Sequence, residues 1–147
     1  MNNKIHNLVS DAESKKYATD AGRIMHAKLQ SVRLGPTPAG DADLIEKIMS
    51  AGDELKSFFG PDSKSEVPIA GFVNGRFISR RIDRLAVDDA HKTIRILDYK
   101  TDTDAQKFRE KYVAQIHEYV ALMKQIYPEY NVHGYILWLH NWQLESI

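Results

Sequence analysis

The chain has 147 residues, with twenty basic and twenty acidic side chains, six histidines and no cysteine. The length suits one domain with its own hydrophobic core, and the lack of cysteine excludes disulfides, thiolate metal sites, iron–sulfur clusters and cysteine nucleophiles. Any metal would sit on oxygen and imidazole, which favours magnesium or manganese over structural zinc, while a formal net charge of zero means that DNA, if bound, is held by a local site or delivered by a partner.

The opening run MNNKIHNLVSDAESKK has charges but no apolar stretch behind them, so no secretory signal is expected there. No apolar run approaches a membrane span, and the expected compartment is the cytoplasm. Ser10-Asp11-Ala12-Glu13 predicts a helix start. Tyr17, Ala21, Ile24, Met25 and Val32 continue it at helical spacing, and the breaker cluster Gly35-Pro36-Thr37-Pro38 stops it. A second helical stretch is predicted over 41–59, with Leu44, Ile45, Ile48, Met49, Leu55, Phe58 and Phe59 on its apolar face and Gly52 as the point of division.

From Glu66 the pattern turns to strands. Residues 67–73 lead into Asn74-Gly75, a two-residue hairpin signal, and 76–87 lead out. A polar turn over 88–92 precedes a strand over 93–99. A long helix follows over 105–126, with Phe108, Tyr112, Gln115, Ile116, Tyr119, Val120 and Met123 in its stripe, and Pro128 beyond its end. Strands are predicted over 132–139 and 142–147. The order α-α-β-β-β-α-β-β predicts an α/β fold, with a helical N-terminal part over 1–60 and a βββαββ core over 66–147.

Chemistry concentrates in Ile82-Asp83-Arg84-Leu85 and Leu97-Asp98-Tyr99-Lys100. If these strands pair antiparallel around the polar turn, Val87 faces Ile94 and Leu85 faces Ile96, matching apolar with apolar. The same register sets Asp83 opposite Asp98 and Arg81 opposite Lys100, with Asp83, Asp98 and Lys100 on one face. Like charges directly opposed destabilise a sheet, so the acid pair calls for a cation, and magnesium prefers carboxylate oxygen. Lys100 would stand beside its water and a phosphate. The competing reading pairs Asp83 with Arg81 or Arg84 and leaves Asp98 as a strand end.

At these residues the sequence resembles the PD-(D/E)XK nuclease superfamily, and in particular its RecB-type branch. Gly22-Arg23-Ile24-Met25-His26 is similar to the upstream Gly-X-X-X-His motif. Asp83 and Asp98-Tyr99-Lys100-Thr101 are similar to the two strand motifs, and Gln115 to Tyr119 to the Gln-X-X-X-Tyr helix motif. Glu66-Val67-Pro68-Ile69 resembles the first-strand Glu-X-Pro of AddA-type proteins, and the whole run from Ala18 onward looks most like the AddA C-terminal nuclease domain of alphaproteobacterial type.

The resemblance implies a restriction-endonuclease-like mixed β-sheet flanked by helices. It implies metal ligation by His26, Asp83 and Asp98, joined by the Tyr99 carbonyl, with Asp83, Asp98 and Lys100 catalytic. Gln115 and Tyr119 would contact DNA or brace the site, although Tyr119 also suits a plain core position. Glu66 reads as a third acid or as a surface charge at a strand end. Arg81 stands where a glycine often precedes Ile-Asp-Arg and would add charge to the rim.

The implied activity is magnesium- or manganese-dependent hydrolysis of DNA at double-strand break ends, with strands fed by a helicase domain and an AddB-type subunit as partner. No Gly-X-X-X-X-Gly-Lys-Ser/Thr loop exists, so no ATP site is expected in this chain. An excised domain and a small stand-alone exonuclease of the same superfamily both remain open. So do a non-catalytic DNA-binding module of this fold and a protein-interaction domain. The missing four-cysteine cluster speaks against a Cas4 or AddB type.

Overall fold

The computed structural model describes residues 20–101 and 105–147. The expected helix start at Ser10 and the stripe residue Tyr17 lie outside these residues. The described elements are α1 (Asp20–Gln30), α2 (Ala42–Ser50), α3 (Asp53–Ser57), β1 (Ser63–Val73), β2 (Arg76–Asp88), β3 (Thr93–Lys100), α4 (Ala105–Ile126), β4 (Asn131–Trp138) and β5 (Gln143–Ser146).

The chain is mixed α/β. Five strands run in the order β1-β2-β3-β4-β5. Neighbours pair antiparallel except β3 and β4, which are parallel. A parallel pair needs a crossover, and α4 provides it. Asn74 and Gly75 both take positive φ, 52° and 75°, as the predicted hairpin turn requires. Gly52, at φ 107°, divides the predicted second helical stretch into α2 and α3.

Helices cover both faces of the sheet. On one side Ile116, Tyr119, Leu122 and Met123 of α4 pack on Ile69, Ile78, Ile82, Leu85, Ile94, Ile96, Val132 and Ile136. On the other, Leu29, Val32, Leu44, Ile48, Leu55, Phe58 and Phe59 pack on Ala86, Leu97, Tyr99, Leu137 and Leu139. Two glycines let α4 lie close to the strands. A Cβ on Gly134 would collide with Ile116 Cγ2, and one on Gly71 would come within 2.7 Å of Leu122 Cδ2. Three residues expected on apolar faces are exposed instead, Ile24, Met49 and Phe108. α1 turns inward on Leu29, and near the start of α4 Arg109 reaches Glu145 of β5.

The expected strand register holds at Val87↔Ile94 and Leu85↔Ile96, but pairing between β2 and β3 ends at Arg84↔Leu97. The ladder does not reach Asp83 and Asp98, and Arg81 is not opposite Lys100. A second irregularity lies beside this one. Ser65↔Arg84 and Val67↔Ile82 are paired across β1 and β2, while Glu66 and Asp83 between them are not. Glu66 has φ 55°, a left-handed conformation that is uncommon for a residue with a Cβ.

Both strands change faces at this point. Before the break, Ser63 and Ser65 bond towards α1; after it, Val67, Ile69 and Val73 pack on the α4 side. In β2, Ile78 and Ile82 face α4, and so do Leu85 and Val87. Strict alternation cannot place even and odd positions on one face, so the strand must reset at Asp83.

Candidate active site

The reset opens the sheet where the acids lie. With the β2–β3 ladder ended, the Tyr99 N–H donates to Asp83 Oδ2 at 2.8 Å. The carboxylate thus replaces a strand carbonyl as acceptor. Asp98 and Lys100 project towards α4, and Tyr99 projects towards α1. His26 comes from the α1 layer, with Nδ1 3.9 Å from Asp83 Oδ1 and its ring edge-on to the Tyr99 ring at 5.4 Å. The Tyr99 main chain lies near enough to the imidazole to favour its charged form slightly. Groups from both faces of the sheet therefore meet at the gap between β2 and β3.

The electrostatics follow from burial. Asp83 is pushed well above the ordinary carboxylate range by desolvation first, and then by the Asp98 charge; the Tyr99 N–H opposes both. His26 is lowered by burial, against the attraction of Asp98. Tyr119 is raised by burial, and the charges of Asp98 and Asp83 add to this, so its hydroxyl keeps its proton.

Asp98 is 4% exposed. Its Oδ2 lies 2.7 Å from Lys100 Nζ, an ionic contact without hydrogen-bond alignment, and this oxygen has no hydrogen-bond partner among the described residues. Burying that carboxylate carries a desolvation cost, which the Lys100 ammonium offsets in part. Lys100 Nζ also donates to Gln115 Oε1 at 3.1 Å and lies 4.3 Å from the centre of the Tyr112 ring. Gln115 Nε2 in turn donates to the Tyr119 hydroxyl at 2.9 Å. Gln115 and Tyr119 therefore stand in bracing positions behind Lys100, one helical turn apart on α4.

Neither salt bridge of the competing reading is present. Arg81 lies 3.7 Å from Glu66. Arg84 is buried and turned away from Asp83. Its guanidinium donates to the carbonyls of Leu29 at 2.8 Å, Gln30 at 3.2 Å and Val32 at 3.1 Å, to Ser63 Oγ, and to the Tyr99 hydroxyl at 3.1 Å. It also stacks over Phe59. These carbonyls lie at and just beyond the end of α1, so Arg84 ties the helix that carries His26 to the sheet that carries the acids. Sequence reasoning gave Arg84 no such role. The only signal was its place in the Ile-Asp-Arg-Leu run.

Among the described residues, no three His, Asp or Glu side chains form a closed ligand cluster. The donor chemistry nevertheless fits a hard divalent cation, because the arrangement pairs a buried carboxylate, one oxygen of which is held by an ion pair without a hydrogen bond, with a second acid destabilised by it and an adjacent imidazole. Glu66 adds charge beside His26. The surface hollows lined by Leu34, Pro38, Ile45 and Pro61, and by Glu46, Lys47 and Trp142, contain none of these residues. No described helix is long and apolar enough to cross a membrane. No protein-family model matches the chain, and no significant match exists among curated proteins.

Proposed function

We propose that this chain is a metal-dependent deoxyribonuclease domain that hydrolyses phosphodiester bonds, of the kind found in AddA/RecB-type helicase–nucleases acting on DNA ends. The observation that carries the reading is the Asp83–Asp98 pair, buried beside Lys100 at a gap in the sheet, with one Asp98 oxygen lacking a hydrogen bond. Two acids crowded at such cost serve better as ligands than as structural groups.

Asp83, Asp98 and His26, with the Tyr99 carbonyl, would hold magnesium or manganese. Such an ion, when bound, polarises a phosphate and lowers the pKa of its water. Lys100 contributes a fixed positive charge to neutralise the phosphate as negative charge builds in hydrolysis. Gln115 fixes the ammonium through its Oε1, and Tyr119 fixes Gln115. Asp83 has to lose its proton before it can ligate, so its raised pKa makes metal loading weaken towards acid pH. DNA would come from a helicase motor and an AddB-type subunit rather than be drawn by this neutral chain alone.

A second reading, a non-catalytic DNA-binding module of the same fold, is favoured by the 2.7 Å Lys100–Asp98 contact, which already neutralises one acid. Cleavage of labelled single- and double-stranded DNA with magnesium, manganese or EDTA separates the two. Metal-dependent products support the nuclease. Binding without cleavage, with no thermal shift on adding metal, supports the module.

A further inference from the structure

Tyr112 belongs to the apolar stripe of α4, but its surroundings differ from those of its neighbours there. Ile116, Tyr119 and Met123 are buried in the core. Tyr112 is half-buried and packs at the margin of that cluster. Its ring stands against Lys100, with Nζ 4.3 Å from the ring centre. Two aromatic neighbours frame it: Phe108, one turn earlier on α4, at 6.2 Å between centroids, and Trp138 of β4 at 6.1 Å. Trp138 is paired with Lys100 in the β3–β4 register. It is fixed in turn, because its Nε1 donates to Glu145 Oε2 at 2.8 Å while Arg109 of α4 donates to Glu145 Oε1 at 2.8 Å. Helix and sheet thus both set the place of the Tyr112 ring.

Three groups contact the Lys100 ammonium: Asp98 Oδ2 at 2.7 Å, Gln115 Oε1 at 3.1 Å and the Tyr112 ring. They differ in charge. Asp98 neutralises the ammonium, and as a metal ligand it would also have to share its oxygens with the ion. Lysine has a flexible four-carbon stem, so a weaker hold by Asp98 leaves the ammonium dependent on its other contacts. Gln115 and Tyr112, three residues apart on one face of α4, supply these without cancelling its charge. The amide oxygen accepts one N–H. The aromatic face attracts a cation through its quadrupole, and more strongly where water is excluded; the Lys100 side chain is only 17% exposed. A carboxylate at position 112 would hold the lysine too, but would neutralise it.

We propose that Tyr112 is a positioning residue for Lys100: its ring face, with Gln115, keeps the ammonium in place when Asp98 is shared with a metal, so that the positive charge stays available to the phosphate. The inference rests on the nuclease reading and adds to it a residue that acts through Lys100 rather than on the metal. Metal entry then weakens one contact of the lysine and leaves two.

The test separates ring electronics from ring shape. Tyr112→Phe, and then difluorophenylalanine and pentafluorophenylalanine installed at Tyr112 of the whole chain, fill nearly the same space while the ring face loses its attraction for a cation. Single-turnover cleavage with magnesium should fall stepwise along this series, by about tenfold or more for the pentafluoro ring. The loss should lie in the maximal rate rather than in KM, since Lys100 acts on charge that builds in the transition state. A second readout needs no turnover. The Lys100 methylene proton resonances, assigned with Lys100→Arg, should lie upfield in the metal-free parent through the ring current of Tyr112. They should stay upfield when magnesium is added and lose the shift in Tyr112→Leu. Circular dichroism establishes that each variant is folded. Flat rates along the series in a parent that cleaves DNA, or Lys100 resonances that lose the ring shift once magnesium binds, would make Tyr112 a packing residue and overturn the proposal while leaving the nuclease reading intact. A parent that neither cleaves DNA nor gains melting temperature with magnesium overturns both.

Discussion

Asp83 accepts a hydrogen bond from the Tyr99 main-chain N–H at 2.8 Å, where an undisturbed ladder would supply a carbonyl. Asp83 thus has a structural duty as well as a charge, and two substitutions separate them. Asn keeps an oxygen acceptor for the N–H and removes the charge, whereas Ala removes both. In EDTA at neutral pH, Asp83→Asn should melt above the parent, and Asp83→Ala should fall below Asp83→Asn by about 1–3 kcal/mol for the stranded N–H. Thermal or urea unfolding of the three proteins is the measurement. An Asn variant less stable than the parent would mean that the Asp83 charge is satisfied by partners other than a metal.

The same group sets a pH dependence. The folded-state pKa of Asp83 is raised above its unfolded value. Its contribution to stability is therefore fully present below the unfolded carboxylate pKa and lost as pH rises through the folded value. His26, lowered by burial, acts with the opposite sign: its contribution is present above the unfolded histidine pKa and lost as pH falls through the folded value. The metal-free parent should lose melting temperature as pH rises from the carboxylate range, and Asp83→Asn should lack this fall. Adding magnesium or manganese should raise the parent's melting temperature by linkage, more at neutral than at acid pH. A parent indifferent to metal at every pH would remove the metal centre.

For catalysis, Asp83→Ala, Asp98→Ala and Lys100→Ala should each reduce metal-dependent cleavage by about a hundredfold or more. Gln115→Ala should have a smaller effect, since it removes only the group that steadies Lys100. Single-turnover gel assays provide the rates. Undiminished cleavage by a folded Lys100→Ala protein would end the role assigned to that lysine.

Arg84→Met should cost about 3 kcal/mol or more, because a buried guanidinium that satisfies three carbonyls is replaced by a side chain that satisfies none. Metal affinity should fall as well, since α1 carries His26. Urea denaturation together with metal titration measures both. A variant of unchanged stability would show that the end of α1 does not depend on this anchor.

Gly134→Ala should destabilise by roughly 1–3 kcal/mol through overpacking, because the added methyl meets Ile116. Ile116 follows Gln115 in α4, so lifting the helix should also slow cleavage. Parental cleavage by the alanine variant at lowered stability would place the adjustment in β4 rather than in α4.

Much of this was legible in the sequence. The Asn74-Gly75 hairpin, the split at Gly52 and the register of Leu85 and Val87 with Ile96 and Ile94 each rest on local chemistry or on apolar matching, which short stretches encode. The reset at Glu66 and Asp83 was missed, although β2 carried a sign of it: its apolar residues fall at even positions, 78 and 82, and then at odd positions, 85 and 87, which no regular strand can bury on one face. Extrapolating the register straight through that change put Asp83 in the ladder. Arg84 was hidden for another reason. Arginine is mostly exposed, and three of the acceptors of Arg84 are main-chain carbonyls more than fifty residues away, which have no sequence signature.

The irregularity in β1 also bears on self-association. Among the described residues β1 is the outermost strand on its side of the sheet and runs for eleven residues, long enough to template another chain. Glu66 bends that backbone out of the extended form, and Pro68 two residues later lacks the N–H that a docking strand would need. The opposite edge, β5, is four residues long. The distortion that admits the two carboxylates to one site therefore also interrupts the longer edge, leaving an incoming strand only short stretches to pair with and protecting the protein from edge-to-edge aggregation.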